Sequence, residues 1–278
     1  MTSPKDYSAS NMIQKYHITL IIEEFIEKLN DMCGKCMDIG CGPGDITKDF
    51  LLPALHPQAQ IIGTDISEKM IKYANETCSD MNRLQFEILD IETKNLPTRY
   101  ISEFDHVFSF HTLMWCNDIR QAFKNIYQIL RPNGTLLFYI IESHDVFEVL
   151  RILARDIRFA QYIPDTMKNI GVFHKAKNAR KELKELLENV GFTVHHCSLR
   201  EASYNDKKSK PINNQELLKT ILSILPFLED MPYDLKEEYK NMFIDEYMRR
   251  KIHYKSIHNE ELILNLYKGL IVYAQKIV

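Results

Sequence analysis

Near the start of the chain the apolar residues Ile13, Leu20, Ile21, Phe25 and Leu29 recur at helical spacing, with Glu23, Glu24, Glu27 and Lys28 between them. That pattern predicts an amphipathic helix over residues 11–30. Cys36-Met-Asp-Ile39 predicts a short buried strand that runs into Gly40-Cys-Gly-Pro-Gly44. A helix is expected over 45–54, with Ile46, Phe50 and Leu51 facing inward, then a strand over 60–64 stopped by Asp65. Ser67 reads as the N-cap of a helix whose buried stripe is Met70, Ile71 and Ala74. Further strands are predicted over 84–89, ending at Asp90, and over 104–110. A helix over 119–130 follows, closed by an Arg131-Pro-Asn-Gly134 turn, and then a strand over 135–141.

Strands alternating with helices in this way predict a parallel, doubly wound sheet covered on both faces, an α/β fold. After residue 141 the alternation loosens. Helices are expected over 145–160, 178–190, 213–225 and 234–251, the last two separated by Pro226 and Pro232. A sixth strand is expected over 191–199 and a last one over 264–275. No repeat, low-complexity tract or Gly/Ser linker divides the chain. The expected organisation is one domain over 1–278. Within it, 1–32 is an N-terminal helical segment and 33–141 a ligand-binding core. Residues 142–190 and 205–258 form cap helices, and 191–204 and 262–276 form C-terminal strands.

Composition narrows the class. Hydrophobic residues make up 45% and charged residues 26%, enough apolar surface for a sizeable core. The net charge of −3 offers no basic face for nucleic acid, and 14 Phe and 14 Tyr argue against disorder. The polar start lacks the apolar stretch of a signal peptide, and the best apolar run, 262–274, is interrupted by Asn265 and Lys268. Six cysteines are too sparse for a disulfide scaffold, so reduced thiols and a cytoplasmic location are expected. Cys33-Gly-Lys-Cys36 with Cys41 invites a metal reading, but no second such pair accompanies it, and no metal is expected.

The chemistry is concentrated in Asp38-Ile-Gly-Cys-Gly-Pro-Gly44, between a strand and a helix, where an open α/β sheet binds its ligands. Glycines there allow a sharp turn and close approach of a ligand to the main chain. A dinucleotide fold wants its third glycine one position later. Asp65 closes the second strand and can hydrogen-bond two ribose hydroxyls, although it could equally cap the next helix. Asp90-Ile91 closes the third and can place a carboxylate near an adenine amino group, or simply turn the chain.

These three stations, in this order, resemble the class I S-adenosylmethionine-dependent methyltransferases. The resemblance implies a seven-stranded sheet whose last strand is antiparallel, and S-adenosylmethionine as cofactor. It implies cofactor contacts from Asp38, Gly40, Cys41, Gly42 and Gly44 in the first station. Asp65, Ile66 and Met70 follow in the second, Asp90 and Ile91 in the third, and Phe110 at the end of the fourth strand.

Gln14-Lys15, the Asp65–Asn75 segment, and Phe104-Asp-His-Val-Phe-Ser-Phe110 followed by Trp115 look more narrowly like the insect juvenile hormone acid O-methyltransferases. That similarity spans the chain and is strongest over 36–141. It implies that Gln14 and Trp115 hold the carboxylate of a hydrophobic, sesquiterpenoid acid such as juvenile hormone acid or farnesoic acid. The family often has His directly before that Trp; here it is Met114, and His111 stands four residues before Trp115.

A carboxylic acid is ionised at pH 7, with a pKa of about 4–5, so such an acceptor needs no general base. Positioning alone can supply on the order of 7–11 kcal/mol. Gln14 and Trp115 are neutral N–H donors that orient an anion without trapping it as Arg would. Plain alternatives stand beside these roles: Trp115 as core, Gln14 as a surface-helix residue, and His111 as a structural histidine or as base for a phenol or amine. The apolar run Ile221–Leu228, with Met242, Phe243, Tyr247 and Met248, is expected to bury the acyl chain. Lys207-Lys-Ser-Lys210 is expected to be a solvated loop.

The alternatives are a carboxyl methyltransferase for a trans-aconitate-like or fatty acid, whose polyacid version would need several Arg or Lys in the pocket, and a non-catalytic binder of S-adenosylmethionine or a terpenoid. Expected partners are a hydrophobic small-molecule acid, with no nucleic acid and no membrane insertion; a homodimer is left open.

Overall fold

The computed structural model describes residues 3–77, 82–164, 171–174, 176–208 and 212–277. Its sheet has the order β3-β2-β1-β4-β5-β8-β6. The strands are β1 (Lys35–Ile39), β2 (Gln60–Asp65), β3 (Leu84–Ile88), β4 (Phe104–Phe110), β5 (Leu130–Ser143), β6 (Thr193–Lys207), β7 (Ile252–Lys255) and β8 (Glu261–Gln275). β1 to β5 pair in parallel. β8 inserts antiparallel between β5 and β6, the arrangement expected for the last strand.

The chain runs outward from β1 to β3, then returns to start β4 on the other side of β1. The order therefore reverses between β1 and β4, which opens a crevice at their carboxyl ends. Residues 40–44 leave β1 at that point and residues 111–115 leave β4 there. Cys36 and Met37 on β1 and Val107 and Phe108 on β4 are almost fully buried, as strands covered on both faces require.

The helices are α1 (Pro4–Ser10), α2 (Met12–Asp31), α3 (Leu52–Ala54, continuing a π-helical turn Thr47–Leu51), α4 (Glu68–Thr77), α5 (Ile119–Ile129), α6 (Asp145–Leu153), α7 (Ala179–Val190), α8 (Ile212–Ser223) and α9 (Tyr233–Arg249). Ser67 does cap α4, accepting from the Met70 N–H at 3.4 Å. No helix among the described residues is long and apolar enough to cross a membrane.

Several expectations shift. α1 precedes the predicted first helix: Ser3 accepts from the Asp6 N–H, and Pro4 occupies the first turn. The helix expected over 145–160 stops at Leu153 and continues as turns. The predicted turn at 131–134 is a bulge inside β5: Leu130 pairs with Phe104 and Thr135 with His106, so the residues between loop out. β7 was unforeseen because four mostly exposed residues carry too little alternation. β6 extends well past its expected end at 199, whereas β8 starts only slightly before its expected first residue and ends where expected; the two pair from Thr193–Gln275 to Lys207–Leu262. In the basic run, Lys207 and Lys208 pair with Glu260 and Glu261, while Ser209 and Lys210 lie outside the described residues.

Candidate active site

The glycine loop is held by its neighbours. The N–H groups of Gly40 and Cys41 donate to Thr64 O at 2.6 and 2.9 Å, which turns the chain back at the end of β1. Gly40 has φ +74°, and a Cβ there would stand 2.0 Å from the Thr112 side chain, so only glycine fits. Gly42 has φ +56° and is buried beneath the Tyr7 ring, which lies 3.8 Å from where a Cβ would be. Asp38 is buried behind the loop, where the Thr47 hydroxyl donates to it at 2.6 Å; burial raises its pKa to about 7.

The three expected stations meet at one edge. Asp65 accepts the Gly42 N–H at 3.1 Å and the Ser67 N–H at 2.8 Å, and its own carbonyl accepts the Leu89 N–H at 3.1 Å. Asp65 is buried, which raises its pKa, while Ile66 beside it is 64% exposed. Asp90 is exposed and accepts the Glu92 N–H at 2.9 Å; Ile91, Cys41, Met70 and Phe110 are buried. Glu92 in turn accepts the Asn117 and Asp118 N–H groups and ties this edge to the segment after Trp115.

Alongside lies a cavity of about 600 Å³ of atom-free space, counting its open mouth. Gln14 and Trp115 both line it, as do His111 and Met114. One wall is apolar, with Ile141, Val146, Phe147, Leu217, Ile221 and Ile224; Trp115 meets Phe147 edge-on at 5.9 Å. The other wall is polar but uncharged, with His17, His144, Tyr204 and Tyr267. Burial lowers the pKa of His17 to about 4 and of His144 to about 3, so both rings are neutral at pH 7. Among the described residues lining the cavity there is no Lys, Arg, Asp or Glu.

Tyr7, whose ring lies over Gly42, also lines the cavity, so this one side chain borders both the glycine loop and the space beneath the cap helices. Gln14 is 7% exposed, and its Oε1 has no hydrogen-bond partner. It is therefore no surface-helix residue, and it borders the cavity instead.

Of the run expected to bury the acyl chain, Ile221 and Ile224 line the cavity, whereas Leu225, Phe227 and Leu228 are buried in the core. Met242, Phe243, Tyr247 and Met248 do not line it. The buried side of α9 instead packs into the protein: Tyr239 meets Phe159 at 5.1 Å and Phe227 at 5.5 Å. Tyr7, His17, His144, Tyr204 and Tyr267 were not foreseen. Only His17 left a signal, three positions after Gln14 and so on the same helical face.

Residues 37–138 match the family described as the methyltransferase domain. The chain is 31% identical over 274 residues to the juvenile hormone acid O-methyltransferase of Drosophila melanogaster, covering 97% of this chain and 91% of that protein. The Bombyx mori enzyme of the same name is 30% identical over 278 residues, covering 98% and 96%. The chain belongs to the juvenile hormone acid O-methyltransferase family. This is a family of class I methyltransferases, and the cofactor of the chain is S-adenosylmethionine.

The methyltransferase is also 30% identical over 194 residues to a malonyl-[acyl-carrier protein] O-methyltransferase of Acetivibrio thermocellus, covering 66% of this chain and 62% of that protein. In fold it is similar to the YcgJ protein of Bacillus subtilis, with a TM-score of 0.55 at 12% identity, covering 95% of this chain and 99% of that one.

Proposed function

We propose that this methyltransferase converts the carboxylate of a hydrophobic acid, of the sesquiterpenoid type represented by farnesoic acid and juvenile hormone acid, into its methyl ester. The observation that carries the reading is the cavity. It joins two neutral N–H donors, Gln14 and Trp115, to an apolar wall, with no Lys or Arg among its described lining residues. A polyacid of the trans-aconitate kind would leave its further carboxylates unpaired against that wall, at a cost of several kcal/mol each.

The proposed cofactor site is the edge where the three stations meet. Gly42, with no side chain of its own, would let a ligand approach the main chain beneath the Tyr7 ring. Asp65 would hold the ribose hydroxyls through lone pairs not used by Gly42 and Ser67. Ile66 would offer an apolar face to the adenine, flanked by Asp90 and Ile91. Asp38 would act from behind, fixing Thr47 and the start of the following helix. Gly40, Cys41, Gly44, Met70 and Phe110 would shape the floor.

When bound, the cofactor supplies an electrophilic methyl group on its sulfonium. The chain's own task is then positional. Gln14 and Trp115 orient one carboxylate oxygen, the apolar wall fixes the acyl chain, and α1 excludes water. No proton has to be removed, and loss of the negative charge on esterification weakens the hydrogen bonds that held the acid, which favours release. In this reading residues 33–141 form the cofactor-binding core, and 142–190 and 205–258 cap the acceptor.

The test is turnover of radiolabelled S-adenosylmethionine with farnesoic acid, juvenile hormone acid, a straight-chain fatty acid and trans-aconitate side by side. Methyl ester from the terpenoid acids alone supports the reading; ester from trans-aconitate alone would overturn it.

A further inference from the structure

His111 combines two costs at one residue. It adopts φ +57°, a left-handed conformation that few side chains enter. Its Nε2 is buried and has no hydrogen-bond partner, which buried polar atoms seldom lack. The surroundings hold the strain in place. The His111 N–H donates to Tyr139 O at 3.0 Å, and the ring meets the Tyr139 ring edge-on at 4.9 Å. On its other side it stacks on His17, with centroids 5.3 Å apart and planes at 21°. His17 is itself fixed by a hydrogen bond between its Nε2 and the Tyr267 hydroxyl. The residue lies directly after β4, in the crevice where the strand order reverses, and lines the cavity with Gln14 and Trp115.

We propose that His111 is a third neutral donor to the acceptor: its imidazole gives an Nε2–H hydrogen bond to the carboxylate, and His17, held by Tyr267, is the positioning residue that fixes the ring by stacking. This rests on the reading that the acceptor is a carboxylic acid. Burial and the neighbouring His17 keep His111 unprotonated. It is therefore a poor proton acceptor and unsuited to serve as base for a phenol or amine, whereas a neutral N–H donor suits an acceptor that is already an anion. Occupation by the carboxylate satisfies the orphaned nitrogen, and the left-handed backbone, which histidine enters more readily than most side chains, holds the ring in place for it.

The test compares His111→Phe, which keeps a ring for stacking without the donor, with His111→Asn, which tolerates the positive φ and keeps an N–H. The readouts are kcat and KM for farnesoic acid, S-adenosylhomocysteine affinity by calorimetry, and inhibition by farnesol, the uncharged analogue. His111→Phe is expected to lower kcat/KM for the acid about 10- to 100-fold, the value of one hydrogen bond to a charged group, with cofactor affinity and farnesol inhibition unchanged. His111→Asn should recover part of the loss. An equal loss of acid turnover and farnesol inhibition, or full activity in His111→Phe, overturns the inference alone. If the unaltered enzyme methylates no acid, the carboxylate reading falls first and the inference with it.

Discussion

The Lys15 ammonium of α2 stands 2.8 Å from the carboxylate of Asp45, the residue directly after the glycine loop. The same carboxylate accepts the Ser8 hydroxyl of α1 at 3.0 Å and the Asn11 amide at 3.1 Å. One side chain thus ties both N-terminal helices to the loop and seats Tyr7 over Gly42. α1 is also hooked from the cap side, where the Thr220 hydroxyl of α8 donates to Ser10 O at 2.7 Å.

Asp45→Ala should loosen this cover without touching the three stations. Loss of the clasp is expected to speed S-adenosylhomocysteine dissociation roughly tenfold. Trp115 is the only tryptophan in the chain, so stopped-flow fluorescence reads the cavity directly. An unchanged rate would mean that the cofactor leaves by a route that α1 does not cover.

Asp65→Ala should weaken S-adenosylhomocysteine binding at least about 100-fold in calorimetry, since two hydrogen bonds to a charged group are lost. The Gly42 and Ser67 N–H groups also lose their acceptor, so a thermal melt must accompany the titration. Unaltered affinity in a folded variant removes Asp65 from the cofactor site.

Gln14→Ala should lower kcat/KM for farnesoic acid about tenfold while sparing cofactor affinity. Its Oε1 makes no hydrogen bond that folding would miss, so the melting temperature should change little. Full activity in the variant eliminates Gln14 from the mechanism.

Acid should destabilise the fold through its buried imidazoles. His17 and His144 have folded pKa values of about 4 and about 3, below the ordinary 6.5. Their unfolded forms therefore take up protons first. Stability is intact above pH 6.5 and falls as the pH drops towards the folded values, by on the order of 3 kcal/mol per imidazole near pH 4. His144 also caps α6, accepting the Val146 N–H at 3.1 Å. His144→Asn keeps a capping side chain but cannot titrate, so urea unfolding should show a flatter acid limb. An acid limb as steep as in the unaltered protein would contradict this.

What was legible in the chain was local. Each strand end carries its own station: Gly40–Gly44 after β1, Asp65 after β2 and Asp90 after β3. A strand-to-helix turn of given period and glycine content places such residues whatever the rest of the fold does. α1 was also legible in principle, from Ser3-Pro4. The aromatic and methionine residues of α9 misled because an apolar helical stripe looks the same whether it faces a ligand or the core.

The acceptor cavity belongs to a different order of information. His17 and Tyr267 are 250 positions apart, and they meet only because β8 inserts antiparallel between β5 and β6 and extends towards α2. Tyr204 stands on the extension of β6 past residue 199, and Tyr267, although inside the expected last strand, reaches the pocket only through the pairing of β8 with β6 and β5. The sequence by itself determined the α/β sheet and the placing of the three stations at its strand ends, since these depend on spacing within one turn or strand, whereas Gln14 and Trp115 were singled out only by the family resemblance. Only the tertiary structure decided that the pocket is uncharged, that Gln14 is buried, and that His111 is strained with a free nitrogen. Those properties come from segments brought together across the whole chain, and burial rather than residue type sets their chemistry.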